Sequence, residues 1–330
     1  MNKKTYKTVL SAVAAAVALS ACTMIPKYEQ PQVEVAETFK YDTFDDGIRA
    51  ADLGWQDFFA DPRLHRLIDI ALERNTDLRT AALNAEIYRK QYMIARNDLL
   101  PSINASGTGT RVGSLSGGVT RSEYSVGLGA AAYELDLFGR VRSNSQAALQ
   151  GYFSVAANRD AAHLALIAAV AKAHFNELYA QESMALAQRV LKTRETTYKL
   201  SQMRHKAGVI SAVDLRQQEA LIESAKADYA NAVKNREQAR NALATLINQP
   251  LPEDLPAALP LSKQFKITRL PAGLSSEVLL NRPDIRAAEH SLKQANANIG
   301  AARAAFFPTI SLTGSVGTAS GELSGLIKSG

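Results

Sequence analysis

The chain has 330 residues, of which 46% are hydrophobic but only 7% aromatic, with one Trp and one Cys. Small apolar side chains, alanine above all, therefore fit its interior better than a bulky aromatic core, and one cysteine excludes a disulfide framework or a multi-Cys metal site. The formal charge of +6 falls to +3 once Lys3, Lys4 and Lys7 are set aside, too little for the clustered basic surface that nucleic acid requires. With 21% charged residues and a mean hydropathy of −0.13, the chain is neither disordered nor a bundle of membrane-spanning helices.

The three lysines form a positive n-region, and Val9 to Leu19 is a short apolar run. A bilayer crossing needs ~20 apolar residues, so residues 1–21 read as a cleaved signal peptide. Leu19-Ser20-Ala21-Cys22 follows and resembles a bacterial lipobox. That resemblance implies a diacylglyceryl thioether on Cys22, cleavage before it, and acylation of the new amino terminus. Thr23 in place of Asp implies sorting to the outer membrane. The plain alternative is a free cysteine beside an ordinary cleavage site.

Residues 22–62 contain Pro26, Pro31, Gly47 and Gly54 and read as irregular chain wrapping over the rest. Asp61-Pro62 starts a helix, since Asp caps well and Pro suits the first turn. The helical pattern continues to about Leu100 with a break near Asn75, and Pro101 stops it. From Ser102 the period changes from 3.6 to 2. Two strands are expected, about 102–112 and 122–136. Ile103, Val126, Leu128, Ala130 and Ala132 fall on an apolar face, while Asn104, Ser106, Thr108, Ser125 and Tyr133 fall on the other. Each strand has about the ten residues of one transmembrane β crossing, apolar outward and polar inward. A solvent-exposed hairpin alternates in the same way.

From Arg140 to Lys206 only Gly151 interrupts a helical pattern, and at ~1.5 Å per residue such a helix is about 100 Å long. Two apolar seams run along it. One passes through Leu166, Val170 and Ala180 and is interrupted by Glu177; the other passes through Leu164, Ala168, Ala171 and Leu178. A two-stranded coiled coil needs one seam, so two imply a neighbour on each side. Gly208 breaks the helix, Ser211 caps the next with Asp214 in its first turn, and a hairpin over about 140–248 results. Pro250, Pro252, Pro256 and Pro260 then end it in a linker, 251–276.

The chain then repeats. A shift of 207 residues pairs Asp77-Leu-Arg-Thr-Ala with Asp284-Ile-Arg-Ala-Ala, and Leu99-Leu100-Pro101 with Phe306-Phe307-Pro308. Ile310 and Leu312 then alternate with hydroxyl residues as a further strand. A repeat this long is a duplicated unit rather than a solenoid: one copy at 63–250, a second beginning at 277. The second stops at Gly330 after its first strand, so a fragment is expected. Asp77/Arg79 and Asp284/Arg286 recur in both copies, as surface charge or as pairs between helices.

Other chemistry finds little support. Gly127-Leu-Gly129-Ala-Ala-Ala132 matches a dinucleotide fingerprint only formally, because it lies inside an alternating strand rather than opening a helix. The five histidines (65, 163, 174, 205, 290) show no metal-ligand spacing, and no nucleophile elbow occurs. No catalytic residue, metal or cofactor is expected, and the chain does not read as an enzyme.

The lipobox, the helix-to-strand junctions at Pro101 and Pro308, the run Tyr133-Glu-Leu-Asp-Leu-Phe-Gly-Arg140, Asn281-Arg-Pro-Asp-Ile-Arg286 and the duplication together resemble the TolC/OprM outer-membrane factor family. The resemblance implies a mainly α fold with transmembrane β: a homotrimer with a 12-stranded outer-membrane barrel continued by a periplasmic α-helical barrel. It implies a passive exit duct for drugs, driven by an inner-membrane RND-type pump through a periplasmic adaptor. Ile103, Val126, Leu128, Ile310 and Leu312 then face lipid. The turn residues Arg204, Lys206, Gly208, Val209, Ser211 and Asp214 become the adaptor-docking tip. Helix ends as such leave backbone groups unpaired there, and a plain solvated turn with Gly208 as C-cap is the alternative. Type I protein secretion uses the same fold. An adaptor lipoprotein also has a lipobox and helical hairpin but lacks duplicated lipid-facing strands, and a lipid-anchored enzyme would need a catalytic constellation.

Overall fold

The computed structural model describes residues 23–30, 53–113, 121–267 and 277–326. The signal segment, Cys22, residues 31–52, the glycine-rich loop 114–120 and linker residues 268–276 lie outside the described residues. The chain divides into two units. One comprises Met1–Val33, Asn84–Ala156 and Arg286–Gly330; the other comprises Glu34–Leu83 and Ala157–Ile285.

In the second, helical unit, the Asp61 side chain accepts from the Arg63 amide at 2.8 Å and caps α1 (Pro62–Arg74). Leu64, Leu67, Ile68 and Ala71 recur at the spacing of one helix face, and all four are fully buried. They pack against Leu166, Ile167, Val170 and Ala171 of α3 (Arg140–Lys206), and against Leu243 and Ile247 at the end of α4 (Ala212–Leu246). Each such large side chain contributes ~1.5–3 kcal/mol on burial, so this cluster is the main apolar source of the unit's stability. Helix α2 (Thr76–Asn97) begins after a break at Asn75. The Asn75 side chain accepts from the Leu78 amide at 3.0 Å and donates to the Leu246 carbonyl at 3.1 Å. The break expected at this residue is thus a helix cap that also ties α2 to the end of α4.

Of the two seams on α3, the first is buried at Leu166, Val170 and Ala180, and the second is buried at Ala171 and Leu178 but exposed at Leu164 and Ala168. Of the two readings left open for Asp284, the described residues show surface charge: Asp284 pairs with Arg282, two residues away, at 2.8 Å, and both side chains are exposed.

In the first unit, β1 (Ile103–Val112), β2 (Arg121–Glu134) and β3 (Ser311–Ser320) form an antiparallel sheet in that order. Helix α5 (Pro283–Ala304) precedes β3, as α2 precedes β1, and both helices have 22 residues. The register sets Ile103 opposite Ala130, Val126 opposite Gly107 and Thr318, and Leu128 opposite Ala105 and Val316. Directly opposed residues share a face, so the apolar set lies on one side as expected. On the other side Thr108 and Ser125 are hydrogen-bonded at 2.6 Å.

One expectation fails. Tyr133 does not share the hydroxyl face with Ser125. A bulge between Ala130 and Tyr133 inserts one residue into β2, with Ala132 at φ +51°. An inserted residue reverses the alternation, so Tyr133 pairs with Leu312 and its hydroxyl donates to the Leu99 carbonyl at 3.1 Å. The strand also ends two residues early, because Asp136 turns to cap α3. Its carboxylate accepts from the amides of Val141 and Arg142 at 3.1 and 2.9 Å.

Candidate functional site: the hairpin turn, the sheet faces and a buried polar knot

The turn between α3 and α4 is built from local backbone chemistry. Gly208 sits at φ +72°, a conformation that side chains strain. There the Gly208 amide donates to His205 O and the Val209 amide to Arg204 O, both at 2.9 Å. This pair of bonds is the Schellman arrangement that ends helices. On the other side Ser211 and Asp214 form a reciprocal capping box: each side chain accepts from the other's amide at 3.1 Å. The Ser211 hydroxyl, then its amide, hold the Asp214 carboxyl below the usual carboxylate range. His205 Nδ1 donates to the Ile210 carbonyl at 3.1 Å.

Gly208 is thus a C-cap, the alternative left open from the sequence, and these bonds occupy several of the backbone groups expected to be unpaired. What the turn offers a partner is side chains. Val209 is 70% exposed, Val213 and Met203 are similarly exposed, and Arg204 and Lys206 flank them. A Cβ on Gly208 would meet nothing within 4 Å, so bulk added there projects into open space.

The sheet has the opposite problem, a face without a cover. Ile103, Val126, Leu128, Leu312 and Val316 are all more than half exposed, and Ile310, just before β3, nearly so. Leu100 and Phe306 at the two helix-to-strand junctions are exposed as well, while Phe307 stacks on Phe138 with centroids 4.4 Å apart. Glu134 is ion-paired with Arg140 across the same junction. In water this much contiguous apolar surface is unfavourable. Among the described residues β1 and β3 are edge strands.

Sequence reasoning passed over a polar knot in the helical unit. Asp61, beyond capping α1, accepts from His174 Nε2 and Gln264 Nε2 at 3.0 Å and from the Leu259 amide at 3.1 Å. Asp61, His174 and Gln264 are all buried. Burial alone would raise the Asp61 carboxyl, but the bonds from Gln264, His174 and Arg63 outweigh it and hold it below its usual value. Burial pushes His174 below the ordinary histidine value, against the pull of Asp61, so the ring is neutral and donates through Nε2. Glu177, the residue that interrupts the first seam, is buried 3.7 Å from Arg63. Its place in an apolar seam, one turn after His174, was the available signal.

The sheet unit thus carries one uncovered apolar face, whereas the helical unit buries a core of its own. Comparison with known proteins makes this specific. Residues 67–249 and 274–330 match the family model described as outer membrane efflux protein. The antibiotic efflux pump outer membrane protein ArpC of Pseudomonas putida is 42% identical over 98% of this chain and 69% of its own length. The cation efflux system protein CusC of Escherichia coli is 39% identical over 94% and 68%. The open-state crystal structure of the MtrE outer membrane channel of Neisseria gonorrhoeae superposes with a TM-score of 0.85 at 72% identity, covering 94% of this chain and 69% of that one. The chain belongs to the outer membrane efflux protein family. It is an outer-membrane channel component of efflux.

Proposed function

We propose that the protein is the exit duct of a tripartite multidrug efflux pump. Three subunits close a twelve-stranded barrel, each giving two strands from either half of a duplicated chain, and their long helices continue it as a periplasmic tunnel. Ile103, Val126, Leu128, Ile310 and Leu312 face lipid, and acyl chains on Cys22 add a second hold on the membrane. The duct is passive. An inner-membrane pump of RND type supplies the energy and a periplasmic adaptor joins the two at the turn around Gly208.

The observation that carries this reading is the uncovered apolar face of the sheet with β1 and β3 at its edges. Lipid tolerates no open strand edges, so these strands call for others to close on. Support for drugs as cargo comes from the relative named for antibiotic efflux.

The test uses cells that keep pump and adaptor but lack their own exit channel. Full-length protein should restore resistance to several unrelated drugs. Gly208→Trp or Arg204→Glu should return the cells to drug sensitivity while leaving the outer-membrane level unchanged. Normal resistance with both variants would remove the turn as the docking site. Failure of an inserted, unaltered protein to confer any resistance would overturn the drug-efflux reading.

A further inference from the structure

Residues 23–30, which directly follow Cys22, lie on one face of α5. A Cβ on Gly300 would stand 2.6 Å from Ile25 Cγ1 and 2.9 Å from the Ile25 N and Cα, so only glycine admits the segment there. One turn earlier the Asn296 side chain donates to the Pro26 carbonyl at 2.8 Å. A turn before that, the Lys293 ammonium lies 5.2 Å from the centre of the Tyr28 ring, a cation–π distance. Glu289 holds Lys293 at 2.7 Å and is reached by Gln30 at 3.5 Å. Glu289, Lys293, Asn296 and Gly300 follow the spacing of a single helical stripe, and the segment contacts them in antiparallel order.

The matching stripe of α2, 207 positions earlier, reads Ala82, Glu86, Arg89 and Met93. It has a thioether where Gly300 makes room and a carboxylate where Lys293 meets the ring. Two helices of equal length thus differ in the features that admit this strap.

We propose that this stripe of α5 is a docking site for the segment after the acylated cysteine, fixing where the lipid anchor enters the membrane. The proposal rests on the acylation of Cys22 inferred above. Ile25 lies three positions after Cys22, a reach of at most about 11 Å at ~3.6 Å per residue. Gly300 is itself one turn from the end of α5, after which the chain enters β3. The acyl chains are thereby held beside the foot of the sheet, and the anchor braces the barrel where a free tether would leave it unguided.

Lys27 gives the readout, since its side chain is largely exposed while its neighbours are pinned. Cleavage after it by trypsin requires local release of the strap. In outer membranes carrying the full-length protein labelled with palmitate, trypsin should release the labelled Cys22–Lys27 peptide slowly. Gly300→Leu should speed release at least about tenfold, as expected when cleavage tracks the opened population. Asn296→Ala, which introduces no clash, should also speed it, and Met93→Leu on α2 should not. Equal release from the unaltered protein, Gly300→Leu and Asn296→Ala would overturn the docking site. A released peptide without label would overturn the acylation and the anchoring role, leaving the docking itself standing.

Discussion

Asp61 concentrates four hydrogen bonds on one buried carboxylate, from α1, α3 and the proline-rich linker. Replacing it with Ala strips partners from buried donors, each costing ~1–3 kcal/mol, so Asp61→Ala should be among the most destabilising single changes in the helical unit. His174 makes the same knot sensitive to acid. Its folded pKa is depressed by burial, so the unfolded chain binds a proton first. Stability present above the ordinary histidine value near 6.5 is then lost as pH falls below it. Melting midpoints should therefore drop between pH 7.5 and 5.5, and His174→Gln, which keeps an Nε2 donor but does not titrate, should flatten that drop. An unchanged pH slope in the variant would place the titrating group elsewhere. The capping role of Asp61 was legible from Asp61-Pro62 alone. Its partners lie 113 and 203 positions away, and no local pattern encodes such separations.

At the scale of elements, the helix-to-strand switches were readable because period and proline changed together at Ser102 and at Pro308. The β2 bulge was not. It falls in Ala130-Ala131-Ala132, where three like residues leave no break in the alternation and no Gly marks the positive φ. The run from Tyr133 to Arg140 gains its meaning from that bulge. Tyr133 is turned to Leu99, Glu134 to Arg140, Asp136 to the first amides of α3, and Phe138 to Phe307. A left-handed conformation costs an L-residue ~1–2 kcal/mol, most for β-branched side chains. Ala132→Val should therefore weaken the junction by about that amount while Ala132→Gly is tolerated, measured as the temperature at which the assembly dissociates. In the turn, Ser211→Ala removes half of a capping box and should cost ~1 kcal/mol.

At the scale of the whole molecule, the two units place their apolar side chains differently. The helical unit buries leucines and isoleucines against one another as a water-soluble domain does, whereas the sheet unit leaves its apolar strand face uncovered. That division was readable from the sequence because alternation and helical periodicity predict opposite kinds of surface. The closing of the strands into a barrel is a proposal that rests on the open edges of β1 and β3 rather than on any pattern along the chain. The central claim is that one face of this sheet meets lipid and the other water, and a paired substitution in the full-length protein tests it most directly. Leu128→Arg places a charge on the apolar face, where it costs ~2–4 kcal/mol near the bilayer midplane, and Ser125→Arg places the same charge on the hydroxyl face. The measurement is the amount of assembled protein recovered from outer membranes. The account predicts a large loss for Leu128→Arg and little for Ser125→Arg; equal recovery of the two would contradict it.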